Sequence, residues 1–168
     1  MKTLLLMRHA KSDWNADYGA DHDRPLNERG ARSARIIGRV LSARGYAPQL
    51  VVASTAVRAR STASLAKEAG QWGCDIVLEP SLYGSGPDAA IQAASLAPDT
   101  DRLMLVGHQP TWSILVSVLT GDRAEMRTGA VAVVDFDFEK WQDLPTARGR
   151  ITATFQPRDY FGTEFDRH

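Results

Sequence analysis

A single cysteine, Cys74, stands in the 168 residues of this chain. One thiol can form no internal disulfide and no cysteine-rich metal site, and it reads as a small buried group. A surplus of one charge is missing too. Lys plus Arg and Asp plus Glu each number 20, for a formal net charge of zero. That balance argues against bulk attraction to nucleic acid or to an anionic membrane. It leaves room for a local cationic pocket, because net charge says nothing about arrangement. Nothing approaches the roughly 20 apolar residues of a membrane span, and the stretch between Lys2 and Arg8 is too short for a signal-peptide core. These absences predict a soluble, cytoplasmic, reduced protein with no nucleic-acid or membrane partner.

What remains is an ordinary globular composition, 43% hydrophobic and 24% charged. The length suits one domain over residues 1–168 with a sizeable core. Short apolar runs alternate with helix-like stretches. Residues 3–7 and 102–106 read as buried strands, and 50–53 and 75–78 as further short strands. Asn27 suits the N-cap of a helix with Ala34, Ile37 and Leu41 near one face and a stop at Gly45. Ser54 is placed as the cap of a second helix over 57–69, Pro87 opens a third through Leu96, and an apolar fourth follows Pro110 to Leu119. Residues 130–138 and 151–155 alternate as strands do, the second half-exposed. The expectation is an α/β fold, a mostly parallel central sheet flanked by helices on both faces, with antiparallel additions late in the chain. The tail after Pro157 is left unplaced.

Open parallel sheets bind ligands beyond the carboxyl ends of their strands. Three strands here end in conspicuous polar groups. The first delivers Arg8 and His9, the second runs into STAVRARST with Ser54, Arg58 and Thr62, and the fourth ends in GHQP with His108. Taken singly, His9 reads as a strand-end histidine and Arg58 as a surface helix arginine. Together they suit phosphoryl transfer. Guanidiniums match phosphate oxygens as planar, permanently charged forks, a helix N-terminus beside Arg58 adds N–H donors, and a neutral imidazole is a competent nucleophile near pH 7. Arg60 points elsewhere and reads as solvated, as do His22 and His168. Of the four tryptophans, Trp72 and Trp141 read as packing residues, while Trp14 and Trp112 are packing residues with the option of rimming the pocket. Lys11 reads as a rim charge.

In combination these segments resemble the histidine phosphatase superfamily, which includes cofactor-dependent phosphoglycerate mutases. RHA at residues 8–10 is similar to the family's RHG signature with alanine for glycine. RHAKSDWN resembles the mutase-like pattern and brings in Ser12 and Asn15. STAVRARST fits S-x-x-x-R-A-x-x-T, and DRPLNERG resembles the R-P-L-T segment of SixA-type phosphohistidine phosphatases. The resemblance implies a phosphoglycerate mutase-like three-layer sandwich and a phosphatase in which His9 is phosphorylated. It implies that Arg8, Arg58 and His108 bind and polarise the phosphoryl group, with Ser12, Asn15 and Ser54 as further substrate contacts. No cofactor and no metal are expected.

The proton donor is the departure. Where mutase-like members carry a glutamate, this chain reads EPSLYGSGPD, with Tyr83 in its place. Asp21 or Asp23 is the candidate substitute. Without a dedicated acid the pocket suits phosphohistidine on a protein, whose imidazole departs readily, better than an alkyl phosphate. Competing expectations are a phosphomonoesterase for a small phosphorylated metabolite or nucleotide, and a non-catalytic phosphoprotein-binding module. A monomer is expected.

Overall fold

The computed structural model describes residues 1–167. In chain order its elements are β1 (Lys2–Arg8), α1 (Glu28–Ala43), β2 (Leu50–Ala53), α2 (Val57–Gly70), β3 (Ile76–Leu78), α3 (Gly86–Ser95), β4 (Arg102–Gly107), α4 (Thr111–Thr120), β5 (Val131–Phe136) and β6 (Arg150–Phe155). The six strands form one sheet in the order β3-β2-β4-β1-β5-β6. Leu4, Leu5, Leu6 and Met7 are all fully buried, because β1 lies inside the sheet with helices over both faces, and such a strand must be apolar on both. Leu4 and Leu6 join Ala90 of α3 and Leu115 and Leu119 of α4 in one core. Leu5 and Met7 join Ile37 and Leu41 of α1 and Ala63 of α2 in the other. The result is the expected three-layer sandwich.

The first four strands run parallel, so the carboxyl ends of β1, β2 and β4 meet at one edge. β5 is antiparallel to β1, with Val131 opposite Met7, and so begins at that edge. β6 is antiparallel to β5, with Phe155 opposite Val131, and so ends there. Five strand termini therefore frame one place.

Local chemistry explains most element ends. Asn27 caps α1 by accepting the Gly30 N–H at 2.7 Å, and just beyond the helix Gly45 turns the chain at φ +80°. A Cβ on Gly30 would stand 2.0 Å from the Lys11 carbonyl oxygen, so only glycine lets α1 press this closely on the loop that follows β1. The expectation for Ser54 needs correction. The N-cap of α2 is Ala56, without a side-chain bond; the buried Ser54 hydroxyl accepts the Ala56 N–H at 3.2 Å just ahead of the helix and also meets His108. Trp112 is likewise no rim residue: it is buried, and its ring fills the space a Gly107 side chain would take.

The tail unplaced from sequence makes a short turn, Pro157–Tyr160, and then lays Phe161 and Phe165 against the α1 side of the core. Arg32 Nε holds it there through Asp166 Oδ1 at 2.7 Å. His168 lies outside the described residues. Among those described, no helix is long and apolar enough to cross a membrane.

Candidate active site

His9 follows the last residue of β1, and its backbone is clamped on both sides. Its N–H donates to the Gly107 carbonyl and its carbonyl accepts the Gly129 N–H, each at 3.0 Å. The ring Nδ1 lies 2.7 Å from the Ala10 carbonyl oxygen. A carbonyl only accepts, so Nδ1 carries the proton and the neutral ring keeps its lone pair on Nε2. Burial is the first cause pushing the His9 pKa down to about 3, with the charges of His108, Arg58 and Arg8 adding to it. His108 stands across the site, ring centroid 5.2 Å from that of His9. Its pKa falls to about 4, through burial first and Arg58 second. Its Nε2 meets Ser54 Oγ at 2.8 Å, while its buried Nδ1 has no protein partner among the described residues.

Both imidazoles are therefore neutral well below neutral pH, which yields a prediction. In phosphate-free solution the ring C–H resonances of His9 and His108 should stay put between about pH 8 and pH 5, where an ordinary histidine titrates. The sign for stability follows. The unfolded chain takes up protons near pH 6.5 that the folded rings refuse, so stability is level above that pH and declines as pH falls toward about 4. A resonance midpoint near 6.5 for either ring would contradict the burial argument.

Three arginines surround the imidazoles. Arg8 Nη1 donates to the Met126 carbonyl at 3.2 Å. Arg58, on the first turn of α2, donates to the Asp21 carbonyl oxygen at 2.8 Å and to Asp21 Oδ2 at 2.9 Å. Arg24 donates from Nε to Ser12 Oγ at 2.9 Å, pairs through Nη1 with Asp21 Oδ1, and lies under Trp14 at 3.6 Å from the ring centre. The Nε atoms of Arg8 and Arg58 are buried without a partner among the described residues. Donors left in this state suit an anion that arrives later.

Asp21 collects the Tyr83 hydroxyl at 2.7 Å as well. The Tyr83 hydroxyl first, then Arg24 and Arg58, hold its carboxyl well below the usual carboxylate range. An ionised Asp21 has no proton to deliver, which argues against its expected role as general acid. The geometry gives it another one, fixing two guanidiniums. Tyr83 is itself pushed up by the same bond. Asp23, its side chain 61% exposed, faces His22 Nδ1 at 3.7 Å and does not line the site.

The imidazoles and guanidiniums open into one cavity of about 480 Å³. Ser12 lines it, as Arg24's partner. Ser54 is fully buried behind His108 and acts on that ring rather than on a ligand. Asn15 is exposed, lies outside the lining, and bonds through its backbone N–H to Asp13 Oδ1 at 2.9 Å. His22 is not simply solvated: its Nε2 meets Thr55 Oγ1 at 2.8 Å and its ring packs edge-on to Tyr83. The sequence reading missed Arg24, although its segment was quoted, and it missed Arg127 and Arg158 near the ends of β5 and β6. Expecting antiparallel strands was the available signal, since such strands bring those ends to this edge. No group of three or more His, Cys, Asp or Glu side chains suited to a metal ion occurs among the described residues.

Residues 4–83 match the family model described as histidine phosphatase superfamily (branch 1). An uncharacterized chloroplastic protein of Arabidopsis thaliana is 30% identical over 152 residues, which cover 84% of this chain and 70% of that one. Two solved structures provisionally named phosphohistidine phosphatase SixA are similar along nearly the whole chain. That from Agrobacterium tumefaciens has a TM-score of 0.80 at 29% identity, covering 93% of this chain and 98% of its own. That from Nakamurella multipartitia has a TM-score of 0.77 at 30% identity, covering 93% and 96%.

Proposed function

The chain belongs to the histidine phosphatase superfamily and is a phosphatase, and on that premise we propose that His9 carries the phosphoryl group and that the substrate is phosphohistidine on a protein. The observation that carries this reading is the His9 ring, with Nδ1–H tied to the Ala10 carbonyl at 2.7 Å, which leaves the lone pair on Nε2. The Nε2 lone pair attacks phosphorus while the bond to the substrate's ring nitrogen breaks. A substrate ring protonated on its other nitrogen leaves as neutral imidazole and needs no acid from the enzyme. Water then attacks phosphorus, the bond to Nε2 breaks, and inorganic phosphate departs as the dihydrogen anion with both of the water's protons. His9 returns neutral with its Nδ1 proton never moved.

Arg8, Arg24 and Arg58 meet the charge spread over the phosphoryl oxygens in both steps. The proton on Nδ1 makes phosphorylated His9 an imidazolium, a good leaving group for the second step. The substrate class follows from what the site holds ionised. With Asp21 engaged by Tyr83 and two arginines, that carboxylate cannot protonate an alkoxide leaving group, and such a donor is worth roughly two to four orders of magnitude. Imidazole, with a pKa of about 6.5, does without it.

The test is a leaving-group comparison at pH 7. The expected kcat/KM for a phosphohistidine peptide exceeds that for a simple alkyl phosphate by about 100-fold or more. Equal values would sink the phosphohistidine assignment and favour a metabolite phosphomonoesterase. No phosphate release from any donor would leave a binding module.

A further inference from the structure

The inner cradle is balanced for one phosphoryl group. Arg8, Arg24 and Arg58, less the ionised Asp21, present two formal positive charges to a phosphoryl dianion. Yet seven of the chain's 20 basic residues line this single cavity, and none of its 20 acidic ones does. Of the other four, Arg127 is spoken for by Glu125 at 2.7 Å. Lys11, Arg29 and Arg158 remain, exposed toward the mouth while Arg24 and Arg58 are buried at the base.

Arg29 does not have the character of a solvated surface charge, and the backbone carrying the other two is held in place. Arg29 is the second residue of α1, where the helix's positive end disfavours a cation, and no carboxylate pairs with it among the described residues. Its guanidinium is held 4.3 Å from the centre of the Phe161 ring rather than left free. Arg158 sits on a braced turn. Neighbouring Pro157 is buried, with its Cγ only 2.8 Å from where a Gly129 Cβ would lie, and Gln156 Nε2 donates to the Glu125 carbonyl at 2.7 Å. Lys11 belongs to the loop that Gly30 allows against α1. Arg29, set against its helix's polarity with no carboxylate partner among the described residues, breaks a local rule beside two further exposed cations on the same cavity, and such a breach marks a binding requirement.

We infer that Lys11, Arg29 and Arg158 form a second anion site, which holds a carboxylate or phosphate borne by the substrate beside its reacting phosphoryl group. This rests on the phosphatase reading and narrows it: the substrate is at least doubly anionic. The second oxyanion comes either from an acidic side chain flanking the phosphohistidine on a protein or from a further phosphate on a small molecule.

Two measurements on the intact chain and on its Arg29→Gln/Arg158→Gln variant decide this, with thermal melts confirming that the variant folds. One compares kcat/KM for two phosphohistidine peptides that differ only in acidic or amide flanks. The other compares calorimetric binding of methylphosphonate and propane-1,3-bisphosphonate, which needs no turnover. If the second site exists, wild type favours the acidic peptide, the bisphosphonate, or both, by about tenfold, the combined effect of a few partly exposed charge pairs. In the variant that ratio collapses to about one. A preference in the peptide arm alone assigns the anion to a protein, and one in the phosphonate arm alone to a small molecule. No preference in either arm, or one that survives in the variant, overturns the inference. Failure of both peptides to react counts against the phosphohistidine reading, and the phosphonate arm then decides this one by itself.

Discussion

His9→Ala is expected to lower kcat by roughly four to six orders of magnitude, as the loss of a covalent nucleophile does elsewhere, and to abolish any trapped phosphoenzyme. The size follows from the geometry. Among the other described side chains of the cradle, only His108 is also a neutral imidazole, and its Nε2 is engaged with Ser54 Oγ at 2.8 Å, while the arginines stay charged. The measurement is a rapid acid-free quench after mixing with a labelled phosphodonor. Wild type should yield an acid-labile, base-stable label on residue 9. The ring can be removed without removing the fold, since both clamps on this residue are backbone bonds, to Gly107 and Gly129. Label found on another residue, or persisting in the variant, would falsify the covalent route.

Arg58→Ala should cost about 100- to 1,000-fold in kcat/KM, the range for removing one preorganised donor from developing charge. Arg58→Lys should recover only part of that. Lysine restores the charge but not a planar fork that can grip Asp21 with two nitrogens while its Nε faces the site. Asp21→Asn sharpens the point. If Asp21 orients Arg58 and Arg24, its loss lowers turnover of phosphohistidine and of activated esters in proportion. If it were a proton donor, phosphohistidine cleavage would be spared and esters with poor leaving groups would suffer. Unequal losses of that kind would restore Asp21 as the acid.

The contrast between His9 and Asp21 shows where the sequence is informative. His9, Arg58 and His108 each follow a buried strand by a few residues, and parallel strands must end at one edge, so their convergence is written in the pattern of apolar runs. Asn27 and Gly45 are legible for a similar reason, because a cap and a positive φ are local demands on one residue type. Asp21, alongside Asp23, reads as a candidate acid because only its Arg24 partner, three residues on, is local; Arg58 and Tyr83 lie 37 and 62 residues away, and no local spacing announces them. Ser54 fits a cap by position, and its hydroxyl does take the Ala56 N–H, but a histidine 54 residues on shares it. Arg158 went unnoticed because the direction of β6, not its composition, decides which end of that strand reaches the site.

A molecule with no net charge that opens seven basic side chains on one hollow must carry its negative surplus on the rest of its surface. It behaves as a bar magnet rather than as a neutral bead. An anionic partner within about a nanometre of the surface exerts a torque on such a molecule, which swings the mouth toward it before contact. Adding salt should slow that encounter, a response the overall charge count would never suggest.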